Sequence, residues 1–197
     1  MSAMSEAPQP NGDSLSKVAA EVRVCTKCPL CESRTNAVPG EGSANPEVMI
    51  VGEGPGRNED LQGRPFVGAA GARLEALLQD AGLAREDVFI ANIVKCRPPE
   101  NRRPTGSEAE ACRPYLDRQL ALLHPEVVVL LGDSALKSFL PKETLSKAHG
   151  KLFEQARFAV FPTYHPAAMI YNRSLEKTTS DDFKALRKIL EDLRGKR

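Results

Sequence analysis

Four short apolar runs, separated by stretches with helical spacing, constrain this chain more than any other feature. They are EVMIVGE at 47–53, VFIANIV at 88–94, EVVVLLG at 126–132 and RFAVFPT at 157–163. Runs of this length, rich in β-branched residues and stopped by glycine or proline, read as buried strands. Between them, Leu15, Val18, Ala19 and Val22 share one helical face, as do Leu74, Leu77 and Leu78 ahead of Gly82, a natural C-cap. Further helices are predicted over 107–123, with Ser107 as N-cap and Glu108 and Glu110 in the first turn, over 134–139 and over 181–193. KLFEQ at 151–155 suggests one more strand, after a turn at 142–150. Strands alternating with helices predict a three-layer α/β/α sandwich around a mostly parallel sheet of four or five strands.

The chain has 197 residues, 41% of them hydrophobic, enough for one continuous core. Residues 1–12, MSAMSEAPQPNG, lack apolar periodicity and are expected to form a disordered tail, leaving 13–197 as one domain. No stretch approaches the run of about 20 apolar residues that a membrane span needs, and no charged-then-apolar leader opens the chain. A soluble, cytoplasmic protein with no membrane partner is expected. The net charge of +1 neither announces nor excludes nucleic acid. Basic residues do gather at Lys95, Arg97, Arg102 and Arg103, which fits a phosphate contact or a solvated loop.

In parallel sheets the ligand crevice opens at the carboxyl ends of the strands. Three unusual loops leave there: GEGPGRNED at 52–60, KCRPPENRRP at 95–104 and TYHPAAMIYN at 163–172. Their convergence predicts an active site at that edge. GEGPG lets backbone N–H groups approach a ligand, though it matches no nucleotide-binding fingerprint. Asn92 is a polar side chain in an apolar run, and its carboxamide presents a donor beside an acceptor; it either reads a ligand edge or caps local backbone. His165, pinned by Pro166, either stabilises charge on a leaving group or is structural. Of the five cysteines, Cys25 and Cys28 form a C-x2-C pair, which Cys31 extends, and Cys96 and Cys112 follow. This pattern points to a metal rather than disulfides. Tetrahedral zinc and a [4Fe-4S] cluster both fit, and either takes four ligands and leaves one thiol over.

Taken together, the chain resembles the type 4, iron–sulfur uracil-DNA glycosylases over roughly residues 14–194. The resemblance is carried by C-T-K-C at 25–28, R-T-N-A-V-P-G-E-G at 34–42, G-E-G-P-G-x-x-E-D at 52–60, G-R-P-F-V-G at 63–68, N-I-V-K-C-R-P-P-x-N-R at 92–102, Cys112 and H-P-A at 165–167. It implies a monofunctional enzyme that flips uracil out of DNA and hydrolyses its glycosidic bond, with the chain acting as a monomer. It also implies that Cys25, Cys28, Cys96 and Cys112 hold a [4Fe-4S] cluster, with Cys31 outside the set. Phe66 would stack on the base, Asn92 read its edge, and Glu59 exclude the methyl of thymine. Glu53, Gly54 and Pro55 would line the pocket, Glu53 also serving the chemistry. His165 would face uracil O2, and Asn101 would orient the water. Where relatives carry Leu-Leu-Arg, this chain has Met169, Ile170 and Tyr171, which leaves its wedge residue open. Arg97, Arg102 and Arg103 would meet phosphates. Other readings compatible with the sequence are a cluster-bearing DNA-binding module without turnover, a zinc-stabilised interaction domain and a glycosylase for another deaminated base.

Overall fold

The structure, a computed structural model, describes residues 12–196. All of the tail expected to be disordered, except Gly12, lies outside the described residues. Six strands form one sheet: β1 (Glu41–Gly42), β2 (Val48–Gly52), β3 (Phe89–Asn92), β4 (Val127–Leu131), β5 (Phe153–Glu154) and β6 (Ala159–Thr163). Their order is β1-β3-β2-β4-β6-β5. The four inner strands are parallel, and β1 and β5 pair antiparallel at the edges. The strand beyond the expected four or five is β1, too short and polar to leave a periodic trace. It depends on Gly42, whose φ is +135° and where a Cβ would lie 2.0 Å from the Val88 carbonyl oxygen.

Nine helices complete the described fold: α1 (Leu15–Arg23), α2 (Leu30–Ser33), α3 (Arg57–Gln62), α4 (Ala69–Asp80), α5 (Gly106–Leu123), α6 (Asp133–Phe139), α7 (Leu145–Ala148), α8 (Ala168–Tyr171) and α9 (Leu175–Gly195). Because strand side chains alternate, each inner strand feeds two cores. Met49, Val51, Val128, Leu130 and Val160 pack with Val18 and Val22 of α1, Leu116 and Leu120 of α5, and Ala135 of α6. On the other face Val48, Ile50, Val127, Val129 and Phe161 meet Leu74, Leu77 and Leu78 of α4 and Phe183, Leu186 and Leu190 of α9. These are the three expected layers. No described helix is long and apolar enough to cross a membrane.

Two helix starts differ from the sequence reading. The N-cap of α5 is Thr105 rather than Ser107: its hydroxyl accepts the Glu108 N–H at 3.2 Å while the Glu108 carboxylate accepts the Thr105 N–H at 2.7 Å. This reciprocal box fixes the start two residues earlier. Helix α9 begins at Leu175, not Asp181, because its polar first turns are held by other elements. Arg73 pairs with Glu176 at 2.8 Å, and Ser180 donates to Asp80 at 2.7 Å. Within the turn expected at 142–150, residues 145–148 close one helical turn.

Candidate functional site

The carboxyl ends of β2, β3 and β6 open on one cleft of about 550 Å³. After β2 come Glu53, Gly54 and Pro55, then Glu59 on α3 and Phe66 beyond it. The β3 loop brings Asn92 and Asn101, and β6 leads into His165. All of these residues, singled out from the sequence, line this cleft. A fourth loop was missed. After β4, Gly132 and Asp133 join the wall, and the Ser134 hydroxyl donates to the Glu53 carboxylate. The signal was available: G-D-S at 132–134 ends an apolar run at the same sheet edge as the other loops. Tyr164, also missed, lines the cleft beside His165.

Phe66 is held in a conformation that a non-glycine residue adopts at a cost, with φ 51°. Three contacts fix it. The Glu59 carboxylate accepts the N–H groups of Val67 and Gly68, at 2.9 and 3.0 Å, and of Gly56, at 3.1 Å. Arg85 donates to the Phe66 carbonyl at 3.0 Å. Gly71 lets α4 approach so closely that a Cβ there would lie 2.0 Å from the Phe66 carbonyl oxygen. The ring therefore stands as a rigid wall, its centroid 5.5 Å from that of His165.

Asn92 ends β3 and is buried, and among the described residues its Oδ1 is the one buried side-chain polar atom without a partner. A Cβ on Gly52 would lie 2.4 Å from that oxygen and 2.9 Å from Phe66. Glycine there is what allows the amide and the ring to share the cleft. The Ala167 N–H donates to His165 Nδ1 at 3.1 Å, which places the proton of the neutral ring on Nε2. Burial pushes the His165 pKa down to about 4, against a smaller opposing pull from Glu59. The imidazole is thus neutral near pH 7. Asn101 sits at the cleft mouth with φ 55°, its Oδ1 accepting from Arg97 Nε at 2.7 Å.

The basic segment is not a plain cationic patch. Lys95 is buried at 1% exposure. Arg102 is spent on the buried Glu108 carboxylate, at 2.9 and 2.7 Å. Arg103 remains largely exposed, 3.7 Å from Asp133. Of the three wedge candidates Met169 is buried in the α4–α9 core, Ile170 is 42% exposed and Tyr171 is 90% exposed. Tyr171 alone of these lines the cleft.

Elsewhere along the β3 loop, Cys25, Cys28, Cys31, Cys96 and Cys112 line one small cavity, and all are free thiols. Arg34 donates to Cys96 Sγ at 3.1 Å and to the Cys25 carbonyl at 2.7 Å, and the Lys95 N–H donates to Cys112 Sγ at 3.3 Å. Burial raises the pKa of Cys28, Cys96 and Cys112, the last to about 11. Thiolates in such a place call for a metal partner. Among the described residues no three Cys, His, Asp or Glu side chains converge tightly enough to hold a single ion.

Comparison with known proteins agrees with this geometry. Residues 39–194 match the profile of the Uracil DNA glycosylase superfamily. The chain is 48% identical to the type-4 uracil-DNA glycosylase of Sulfurisphaera tokodaii, over 90% of this chain and 85% of that one. It is 45% identical to the type-4 enzymes of Saccharolobus solfataricus, covering 90% and 87%, and Archaeoglobus fulgidus, covering 88% and 92%. With a superfamily match over residues 39–194 and relatives 45–48% identical over about 90% of it, the chain belongs to the type-4 uracil-DNA glycosylase family within the Uracil DNA glycosylase superfamily.

Proposed function

We propose that this protein removes uracil from DNA by hydrolysing the N-glycosidic bond of a flipped nucleotide, leaving an abasic site. The observation that carries this is the buried Asn92 side chain in the wall of a base-sized cleft, its Oδ1 without a protein partner. An acceptor fixed there has to receive an N–H, and uracil offers one at N3 next to an acceptor at O4. Cytosine offers an unprotonated N3 next to an amine, so the same amide rejects it. Phe66 stacks on the base. Glu59, held by three backbone donors, forms the fixed edge that leaves no room for the thymine methyl. Gly54 and Pro55 complete the wall.

As the C1′–N1 bond breaks, the electron pair leaves with uracil. Nε2–H of neutral His165 donates to O2 and stabilises that anion, a preorganised contact of the kind that contributes most to catalysis. Glu53, oriented by Ser134, faces the positive charge growing on the sugar. Asn101, held by Arg97, positions the water whose oxygen joins C1′ and whose proton completes the free base. None of these groups is a nucleophilic lysine, so the strand stays intact. Cys25, Cys28, Cys96 and Cys112, which line one cavity, would hold a [4Fe-4S] cluster through their thiolates. When bound, that group supplies a structural tie and no redox step. Every group named comes from the one domain proposed at 13–197, and the proposal is of a monomer acting in the cytoplasm.

The test is an excision assay on a U·G duplex, split into alkali-treated and untreated samples. Cleavage after alkali alone is expected. No product from cluster-loaded protein would overturn the reading, and cleavage without alkali would overturn its monofunctional part. Extruding the nucleotide from a duplex costs a few kcal/mol, which an apolar wedge offsets. We assign that role to Tyr171, supported by its exposure and its position in the cleft lining. Tyr171→Ala is therefore expected to slow excision from duplex by about tenfold, the worth of one stacking contact, and to spare single-stranded substrate. An equal effect on both strands would remove Tyr171 from that role.

A further inference from the structure

Lys95 is among the largest fully buried side chains of the described residues, and none of the steps above uses it. An ammonium so placed is costly unless it is fully paired. Its Nζ donates to the Asn92 carbonyl at 3.0 Å and to Gln119 Oε1 at 2.7 Å. Gln119, itself buried, donates from Nε2 to the Pro39 carbonyl at 2.7 Å. The main chain of Lys95 is tied as well: its carbonyl accepts the Val38 N–H at 2.7 Å and its N–H reaches Cys112 Sγ. Lys95 borders the thiol cavity and not the cleft. The lysine thus grips, from behind, the residue whose side chain faces the base.

Asn92 needs such a grip. It is the last residue of β3 in register with β2; beyond it only the Ile93 and Val94 N–H groups, donating to the Gly52 and Glu53 carbonyls, carry the pairing on, and the Asn92 carbonyl itself is taken by Lys95. Its reading atom Oδ1 has no protein partner to aim it. The direction of the carboxamide is then set by its own backbone and by the close approach to Gly52. We propose that Lys95 is a positioning residue for base recognition: its buried ammonium clamps the Asn92 carbonyl to Gln119, and through it to the Pro39 segment, and so aims the Asn92 carboxamide. This rests on the cleft being the uracil site. One residue also joins the two sites, since its side chain holds the base reader and its N–H meets a cysteine.

The test compares the iron-loaded full chain with Lys95→Met and with Lys95→Met/Gln119→Leu. The single change leaves the Asn92 carbonyl and Gln119 Oε1 unpaired and can unfold the protein; the double change removes the buried lysine and amide together, leaving the backbone carbonyls of Asn92 and Pro39, and melting reports what that costs. Calorimetry would follow binding of free uracil and of a duplex carrying a tetrahydrofuran abasic analogue, alongside kcat, KM, iron content and melting. In the double variant, uracil affinity and kcat are expected to fall about tenfold, the worth of one hydrogen bond, with affinity for the abasic duplex and iron content unchanged. Wild-type uracil affinity in the double variant would overturn the proposal. So would losses on both ligands that track falling iron and melting temperature, which would make Lys95 a packing residue. A wild-type protein that neither excises nor binds uracil would bring down the reading of the cleft itself, and the proposal with it.

Discussion

His165→Ala is expected to slow uracil excision by about a hundredfold to a thousandfold, the loss measured when one preorganised donor is removed from a developing anion. The fold should survive, because the ring lines a cleft rather than filling the core. Single-turnover kinetics on a uracil-containing oligonucleotide reads the first effect, and iron content the second. Above about pH 5 the wild-type rate should owe no pH dependence to this histidine, since burial holds it neutral down to a pKa of about 4. The same shift acts on stability. An unfolded chain protonates this residue near pH 6.5 and the folded one only near 4. Between those values the unfolded state binds more protons, so stability falls as pH falls. His165→Ala lacks that slope, and its melting temperature should drop less steeply on acidification than that of the wild type. An alanine variant with wild-type excision would remove His165 from the chemistry.

Cys96→Ala or Cys112→Ala is expected to abolish iron binding and with it the folded state near 37 °C. Cys25 and Cys28 follow α1, Cys96 follows β3 and Cys112 lies in α5. A group bridging them ties three elements distant in sequence. Structural metal sites contribute about 10 kcal/mol or more to folding, as much as the whole net stability of a typical domain. Cys31→Ala is the control: it removes a thiol from the same cavity but not from the proposed ligand set, and should keep iron and melting temperature. Iron analysis with thermal melting decides the matter. Iron lost from the Cys31 variant, or retained by the Cys96 variant, would require a different ligand set.

The order of elements was legible because burial on both sheet faces demands uninterrupted apolar runs. Met49 and Val51 face one layer while Val48 and Ile50 face the other. The residues of the cleft were legible for a related reason. Parallel strands send their carboxyl ends to one edge, so unusual loops that follow them must meet. The sequence reading stopped short where a short element has no period of its own. β1 exists through its pairing with β3, and the first turns of α9 through partners on α4.

Side chains whose roles depend on distant residues were beyond a reading of local pattern. Lys95, Arg97, Arg102 and Arg103 form one basic segment on paper. In the fold Gln119 draws the first into the interior, Asn101 takes the second, the buried Glu108 takes the third, and the fourth remains at the surface. Met169 and Tyr171 stand two positions apart on one helical turn, yet one enters the core and the other meets solvent at the cleft. By itself the sequence determined the layers, the edge at which the site opens and the residues that reach it, because periodicity and strand direction are local properties. Only the tertiary structure decided which charges are buried, which aromatic is exposed and what holds the Asn92 carbonyl, because those depend on contacts between residues that local pattern does not join.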